Sequence, residues 1–378
     1  MTNVSPLIQV RAVELPLDAP LPWDLVDARG ILVLKEGALL TGEAQVERLL
    51  ERRVCRARTA ADDTPTPART PLLSVFEELT LVRAALQDCL YGIAGGGGTT
   101  AIDSLLRLAE RMRYLARMHP DAVIGALQLD SQASYTDLHP VLVAVIGELI
   151  ARRLGVDEQQ RNSLCLAALT SNLGMLSLQD TLSRQSAALD ETQRRAVRDH
   201  PEQGFEMLRA IGVTDPLWLS IVLNHHERGD GSGYPHARRD PYVDQLSSLV
   251  ALADNYAAMV LPRAYRNGMH AQQAMREIFV QRRIRVAGEL VQQFVKELGV
   301  YPPGAFVVMK NGDHGIVIKR GHRTASAPVV SCFANVHHVR FDAPLIRDTG
   351  EGGGHAIAAI AAPQALALPL STIWGMGR

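Results

Sequence analysis

Apolar residues recur three and four positions apart through most of the middle of the chain, and that spacing predicts helices. The segments are LLSVFEELTLVRAALQDCLYGIA (72–94), AIDSLLRLAERMRYLARM (101–118), VLVAVIGELIARRLG (141–155), EQQRNSLCLAALTSNLGML (158–176) and DETQRRAVRDHPEQGFEMLRAIG (190–212). PLWLSIVLNHH (216–226), DQLSSLVALADNYAAMV (244–260) and AQQAMREIFVQRRIRVAGELVQQFVKELG (271–299) follow, the last expected to break near Arg283. A helix with one apolar face needs partners to cover it, so the expectation is a mainly α bundle. The period changes at both ends. Residues 1–56 read as a small α/β module, with a strand in ILVLKEGALL (31–40), a turn at Glu36-Gly37 and a helix in AQVERLLERR (44–53). RTAADDTPTPARTP (58–71) has no period and three prolines, and 57–71 is expected to be a linker. Residues 72–128 form a helical lead-in, and 129–300 the principal helical domain. AFVVMKNGDHGIVIKRG alternates on either side of Asn311-Gly312, a hairpin signal, so 301–345 is expected to be a small β appendage. The remainder, 346–378, rich in Gly, Ala and Pro, is expected to be a flexible or partner-docking tail, with a short helix broken at Pro363 as the alternative.

Composition narrows the function classes. Of 378 residues 47% are apolar, enough for a core and too many for general disorder. Basic and acidic residues balance at 39 and 40, which argues against a field built for DNA or a membrane surface. The expectation is no DNA partner. No apolar run reaches the ~20 residues of a membrane span, and MTNVSPLIQVRAVELPLDAP lacks the basic start and apolar stretch of a secretory signal. Cys55, Cys89, Cys165 and Cys332 form no CxxC, so neither a disulfide framework nor a zinc–thiolate site is expected, and a cytoplasmic location fits best. Only four lysines (Lys35, Lys296, Lys310, Lys319) stand beside 35 arginines.

The candidate chemistry lies among the histidines of the helical block. His139 follows Asp137, a candidate N-cap. His200 precedes Pro201, a first-turn residue if a helix begins after Asp199. His225 and His226 end an apolar helix and lead into ERGDGSGYP. Asp254 is the lone acid in LSSLVALADNYAAM, where a buried carboxylate needs a partner or a metal. Imidazole with carboxylate is a ligand set for iron, manganese or zinc. Taken singly, each has a plainer reading: a packed or surface histidine, an Asp254 bonded to a neighbouring helix end, an ordinary Asp-Gly turn. Their occurrence together, in one helical block, favours a site.

HHERGDGSGYP (225–235) resembles, nearly letter for letter, the signature of the HD-GYP proteins, a subset of the HD phosphohydrolases. The resemblance covers about 130–300. It implies an all-α fold that binds two or three metals and hydrolyses cyclic di-GMP. It places metal ligands at His139 (in SYTDLHPVLVA), His200 (in RAVRDHPEQGFEML), His225, His226 and Asp254. It places Arg263 and Arg266 against substrate phosphates, and Tyr234 with Gly233 of the GYP loop at the ligand. The plainer reading of Arg263 and Arg266, and of the basic run QRRIR (281–285), is a solvated face.

The chain departs from that pattern in AALTSNLGM (167–175). Where the family has His-Asp followed by Ile-Gly-Lys, Ser171 and Asn172 replace the doublet and Met175 replaces the lysine. Tyr135 stands where an acidic residue often lies, four positions before the first histidine. The lost aspartate bridges two metals in the family; an asparagine brings one neutral carbonyl oxygen. Paired metals activate water and hold the attacking and leaving oxygens, and Met175 removes a charge aimed at the phosphate. The expectation is absent or very weak hydrolysis, with no confident catalytic residue, and one divalent ion (iron or manganese) or none. The protein is then expected to act by binding cyclic di-GMP or a signalling protein such as a diguanylate cyclase. The competing expectation is an active metal-dependent phosphodiesterase with an atypical site. A third is a scaffold that uses only its helical surface.

Overall fold

A computed structural model describes residues 7–10, 15, 20–40, 43–52, 54–57, 73–98, 100–239, 243–263, 265–266, 268–280, 288–321, 324–364, 366 and 368–376. The chain divides into two units, Met1–Leu72 and Leu73–Arg378. In the first, strands β1 (Leu7–Gln9), β2 (Leu25–Val26) and β3 (Leu32–Leu34), helix α1 (Glu43–Glu51) and strand β4 (Cys55–Ala57) build an antiparallel sheet of order β1-β4-β2-β3 with one helix. Val10, Leu15, Leu21, Leu25, Leu40, Leu49 and Val54 form its own small core. The turn at Gly37 has φ +86°, which glycine adopts without steric cost. The expected linker 58–71 and the basic run 281–285 lie outside the described residues.

The second unit opens with α2 (Val75–Ala94), α3 (Ala101–Met118) and α4 (Pro120–Leu129). There follow α5 (Tyr135–Arg153), α6 (Glu158–Thr170), a 3₁₀ turn (Leu173–Met175), α7 (Leu176–Arg184), α8 (Glu191–Ala210), α9 (Pro216–Asn224), α10 (Gln245–Val260), α11 (Ala271–Val280) and α12 (Gly288–Leu298). Caps explain several starts: Ser74 with Glu77, Ser134 with Asp137, and Asp190 with Gln193 are reciprocal capping boxes. Asp137 is therefore not the N-cap of the first histidine's helix; it is the third residue of a helix capped by Ser134. α5 is buried on every side from Leu138 to Ala151 and forms the axis of the bundle. None of the described helices is long and apolar enough to cross a membrane.

Two prolines sit inside helices, Pro140 in α5 and Pro201 in α8. α8 therefore runs through Pro201 from Glu191 instead of beginning after Asp199. A proline inside a helix leaves the carbonyl four residues earlier without its N–H donor. Here both orphaned carbonyls are taken by side chains. Thr136 O accepts from Gln87 Nε2 at 2.7 Å, and Val197 O accepts from the ring of His200 at 2.7 Å.

The β region is larger and more tightly joined than expected. β5 (Phe306–Met309), β6 (His314–Lys319), β7 (Val329–Ala334), β8 (Arg340–Asp348) and β9 (Ile357–Ile360) form an antiparallel sheet of order β8-β7-β6-β5-β9, and a short helix α13 (Leu370–Ile373) follows. The Asn311-Gly312 hairpin is present, with Gly312 at φ +86°. The tail is a correction to the sequence reading. Residues 357–360 add an edge strand to β5, and Ile373 and Trp374 are buried in the helical core. Gly125 makes the space: a Cβ there would lie 2.3 Å from the Trp374 ring. AIAAI lacks the alternation that marks a strand, because its order comes from pairing with β5. The lead-in helices likewise share one core with the rest: Leu79, Leu86, Leu105 and Met112 belong to the same cluster as Leu142, Leu249, Phe306 and Ile316.

Candidate metal and ligand site

His200 and His225 are fully buried and face each other, Nε2 to Nε2, at 3.2 Å. Their other ring nitrogens decide what this contact is. His200 Nδ1 lies 2.7 Å from Val197 O, the carbonyl freed by Pro201. His225 Nδ1 lies 2.7 Å from Val222 O, in the unpaired last turn of α9. A carbonyl can only accept, so each Nδ1 carries the proton and donates. Both Nε2 atoms then present lone pairs to each other, an arrangement that calls for a cation between them. Backbone carbonyls that fix a tautomer in this way are the usual second layer of a metal-binding histidine. His226 completes the group: the three rings offer nitrogens within 4.8 Å of one another. Burial holds His200 at about pKa 3 and His225 at about 4, and pushes His226 well below the ordinary value, so all three are neutral donors near neutral pH.

The other half of the site is His139, Asp254 and Asn172, all buried. His139 Nε2 lies 3.3 Å from Asp254 Oδ1, and Asn172 Nδ2 lies 3.4 Å from His139 Nδ1. The Asn172 amide also acts on the Asp254 carboxyl, favouring its charged form against the burial. An amide nitrogen can only donate, so His139 Nδ1 accepts and its Nε2–H faces Asp254. Burial lowers His139 to about pKa 3 and raises Asp254 to about 7. Asn172 Oδ1 is buried with no hydrogen-bond partner among the described residues. Ser171 turns away, its hydroxyl donating to Ala168 O at 3.3 Å in its own helix turn. This segment meets α8 closely because Gly174 is bare: a Cβ there would be 2.3 Å from His200 O and 2.6 Å from Gly204 N.

Around these groups, Arg263 donates to Tyr135 Oη at 3.3 Å and Tyr265 Oη at 3.0 Å, with its guanidinium 4.7 Å from the centre of the Tyr135 ring. Tyr135 in turn lies against His139, ring centres 4.9 Å apart. Arg266, expected at the ligand, is turned to the backbone of α10. Its guanidinium donates to the carbonyls of Ala258 and Met259 and caps the end of α10. Tyr234 stacks on His226 at 4.7 Å. Gly233 closes the loop tightly: a Cβ there would lie 2.4 Å from Arg228 N and 2.6 Å from His226 O. Met175 is half-buried beside the turn. None of these side chains lines the hollow of about 440 Å³ bounded by Gln128, Met269, Tyr301 and Ile360.

Residues 110–288 match the HD domain family. Similar curated proteins include a cyclic di-GMP phosphodiesterase of Pseudomonas aeruginosa, 29% identical over 71% of this chain and 66% of that protein. Another is the cyclic di-GMP phosphodiesterase of Thermotoga maritima, 29% identical over 44% of this chain and 47% of that one. A third is 3'3'-cGAMP-specific phosphodiesterase 1 of Vibrio cholerae, 27% identical over 41% and 36%. The chain thus spans between 36% and 66% of the length of these three relatives. A solved HDG"Y"P protein of Bdellovibrio bacteriovorus aligns with a TM-score of 0.51 at 16% identity, over 76% of this chain and 98% of that one, and so shares the fold. The chain carries an HD-GYP domain.

Two residues of this HD-GYP site escaped the sequence reading. Glu227, 4% exposed, accepts from the backbone N–H of His236 at 2.6 Å and of Arg238 at 2.8 Å, and so ties the two ends of the GYP loop. Its burial could have been suspected only from its place directly after two candidate ligands. Tyr135 was noted as a missing acid; its contact with His139 follows from helical spacing, but that with Arg263 joins residues 128 positions apart and carries no local signal.

Proposed function

We propose that this HD-GYP domain takes part in bacterial cyclic di-GMP signalling by binding a cyclic dinucleotide, cyclic di-GMP foremost, at a site that holds one divalent ion and does not turn the ligand over. The observation that carries this reading is the contrast at Asn172. The three-histidine group presents converging lone pairs, whereas the position of the metal-bridging aspartate holds a neutral amide already bonded to His139.

His200, His225 and His226 would hold the ion, iron or manganese being suited to imidazole donors. Once bound, it supplies positive charge for a phosphodiester oxygen. The chain's own groups do the rest. Arg263 offers a guanidinium fork to a phosphate, held in place by Tyr135 and Tyr265. Tyr234, fixed over His226 by the closed loop, offers a flat face to a base. Met175 brings no charge to the phosphate, and Asn172 brings none to a second ion. Losses of this kind each amount to about 3–4 kcal/mol of transition-state stabilisation.

The test is direct. The purified protein is loaded with iron or manganese, its metal is counted, and cyclic di-GMP and 3'3'-cGAMP are titrated calorimetrically while product is followed by chromatography. One ion per chain, saturable binding and no linear product support the reading. Turnover that disappears in His225→Ala or Asp254→Ala overturns it in favour of an active phosphodiesterase, the activity named for the relatives.

A further inference from the structure

The hollow of about 440 Å³ lies where the helices of the second unit meet its sheet. Gln128 and Leu129 end α4, Val260 ends α10, and Phe306 and Ile360 belong to β5 and β9. Loose docking of the sheet does not explain it, because the seam beside it is tight. Gly304, at φ +91°, sits where a Cβ would be 3.2 Å from Gln128 Cβ and 3.3 Å from Gly125 Cα. Arg320, just after β6, donates to Asp121 at the start of α4 and, at 2.7 Å, to Glu297 O in α12. Protein interiors seldom leave voids larger than a water molecule. A hollow of this size beside a fastened seam is a preformed recess, within the ~300–1,000 Å³ of small-molecule sites.

The lining says what fits. Leu129, Val260, Met269, Phe306, Ile360 and Leu366 supply apolar walls. No lysine or arginine lines the hollow among the described residues, so nothing there offsets a phosphate or carboxylate. Its one carboxylate is already engaged: Asp130 Oδ2 accepts from Arg83 at 2.7 Å, and Oδ1 from the N–H groups of Gln132 and Ala133 at 3.0 Å. Two neutral polar groups remain. Gln128 Nε2 donates to Pro303 O at 3.1 Å, which leaves Oε1 without a partner among the described residues, and the Tyr301 hydroxyl has none there either.

The same walls include the root of the loop that carries Arg263. Val260, Pro262, Gly268 and Met269 all line the hollow. The loop is pinched shut by Met269 N–H donating to Met259 O at 2.8 Å, and by reciprocal backbone bonds between Arg263 and Arg266 at 2.9 and 3.0 Å. Gly268 closes it on α10, where a Cβ would lie 1.9 Å from Val260 O.

We propose that this hollow binds a small, uncharged, largely apolar molecule, which hydrogen-bonds Gln128 Oε1 or the Tyr301 hydroxyl and braces the root of the Arg263 loop. The site stands without the cyclic-dinucleotide reading, and its occupant acts on Arg263 only through the loop backbone.

The experiment uses the full chain and two fluorescent probes on one skeleton: N-phenylnaphthylamine, which is neutral with a single N–H donor, and anilinonaphthalene sulfonate, which adds a negative charge. The wild type should show one saturable site for the neutral probe, at least about tenfold tighter than for the sulfonate. Ala361→Trp, which fills the hollow, should weaken the neutral probe by at least about tenfold, and Ala305→Leu should act the same way; Ala85→Trp, in the groove between α2 and α3, should not. Melting temperatures without probe should match the wild type. Hydrogen exchange at the Arg263, Arg266 and Met269 amides should slow when the probe binds. Equal binding by the wild type and both filled variants, or a preference for the sulfonate, overturns the site. Saturable binding that leaves those amides unchanged overturns the brace. No saturable binding also overturns the site, and a dimer that Ala361→Trp dissociates would then show that a second copy covers the hollow.

Discussion

The two halves of the site solve the same problem in opposite ways. Each is a set of buried polar groups that must find partners. In the His139–Asn172–Asp254 half the partners are internal: imidazole bonds to carboxyl on one side and amide on the other. In the His200–His225–His226 half the protein assigns both Nδ1 protons to backbone carbonyls and leaves the Nε2 lone pairs aimed at one point. The first half pairs its ring nitrogens within the protein and leaves only Asn172 Oδ1 without a partner among the described residues, whereas the second leaves two Nε2 lone pairs facing each other. On the proposed reading, substitution of a single bridge removes one ion position and spares the other, because the tautomers of the His200 and His225 half are set by backbone that the substitutions do not touch.

The strongest way to break this contrast is to undo it. Ser171→His, Asn172→Asp and Met175→Lys together return the bridging carboxylate, a histidine and the charge. The expected outcome is a rise from one to two ions per chain and cyclic di-GMP turnover higher by at least about 100-fold, read by metal analysis and product chromatography. One ion with no gain in turnover would mean that the collapsed half is not what limits the chemistry. Next in size is the loss of a lone-pair donor. His225→Ala should lower metal affinity on the order of 100-fold, whereas Asp254→Asn, on the internally paired side, should change it by no more than a few-fold. Equal losses from both would erase the distinction between the halves.

How much of this could be read from the sequence follows from how each group is fixed. His225, His226 and the GYP loop lie within one eleven-residue string, so their proximity needs no fold, and the Ser171-Asn172 replacement is visible by register alone. The tautomers are half-legible: Pro201 predicts a free carbonyl at Val197, but only the helix shows that His200 takes it. Gln87, 49 residues from the Thr136 carbonyl it satisfies, leaves no trace in the pattern. For Arg266, spacing tells that an arginine is near a helix end without telling that its guanidinium reaches back to the carbonyls of that end. The tail fails for a similar reason: Ala-rich segments take their state from what they pair with, here β5 and the slot at Gly125.

Acid sharpens the comparison with a smaller effect. Burial depresses four histidines, His139 and His200 to about 3, His225 to about 4 and His226 well down, while unfolded histidine titrates near 6.5. Below pH ~6.5 the unfolded chain takes up these protons and the native state does not, so the metal-free protein loses stability as pH falls from about 6.5 towards 4. Asp254, raised to about 7, opposes this, since its native carboxyl is protonated in a range where the unfolded one is ionised. Four groups against one leave a net loss, expected as a fall in melting temperature of about 5–10 °C per pH unit for the stripped protein. A bound ion should raise the whole curve and lose its effect on acidification, because protons compete for the same Nε2 atoms. A stripped protein with a flat profile between pH 4 and 6.5 would contradict the burial of neutral rings.

The smallest expected effect is the most discriminating, because its two readouts move in opposite directions. Pro201→Ala gives residue 201 an N–H, and the helical partner of that N–H is Val197 O, the carbonyl that now accepts from His200 Nδ1. The helix gains a hydrogen bond and loses a proline from its interior, so stability should hold or rise. The histidine must now share its acceptor, so its tautomer and ring orientation loosen, and metal affinity should fall about tenfold, the cost of losing an outer hydrogen bond to a ligating imidazole. Calorimetry of the stripped variant reads the first change and a metal titration reads the second. The parallel change Pro140→Ala sets the same contest over Thr136 O, but there the displaced donor is Gln87, which ligates nothing, so metal affinity should not move. If both prolines weaken the ion alike, the carbonyls serve only helix geometry; if Pro201 alone does so, the helix break is what keeps two lone pairs pointed at one cation.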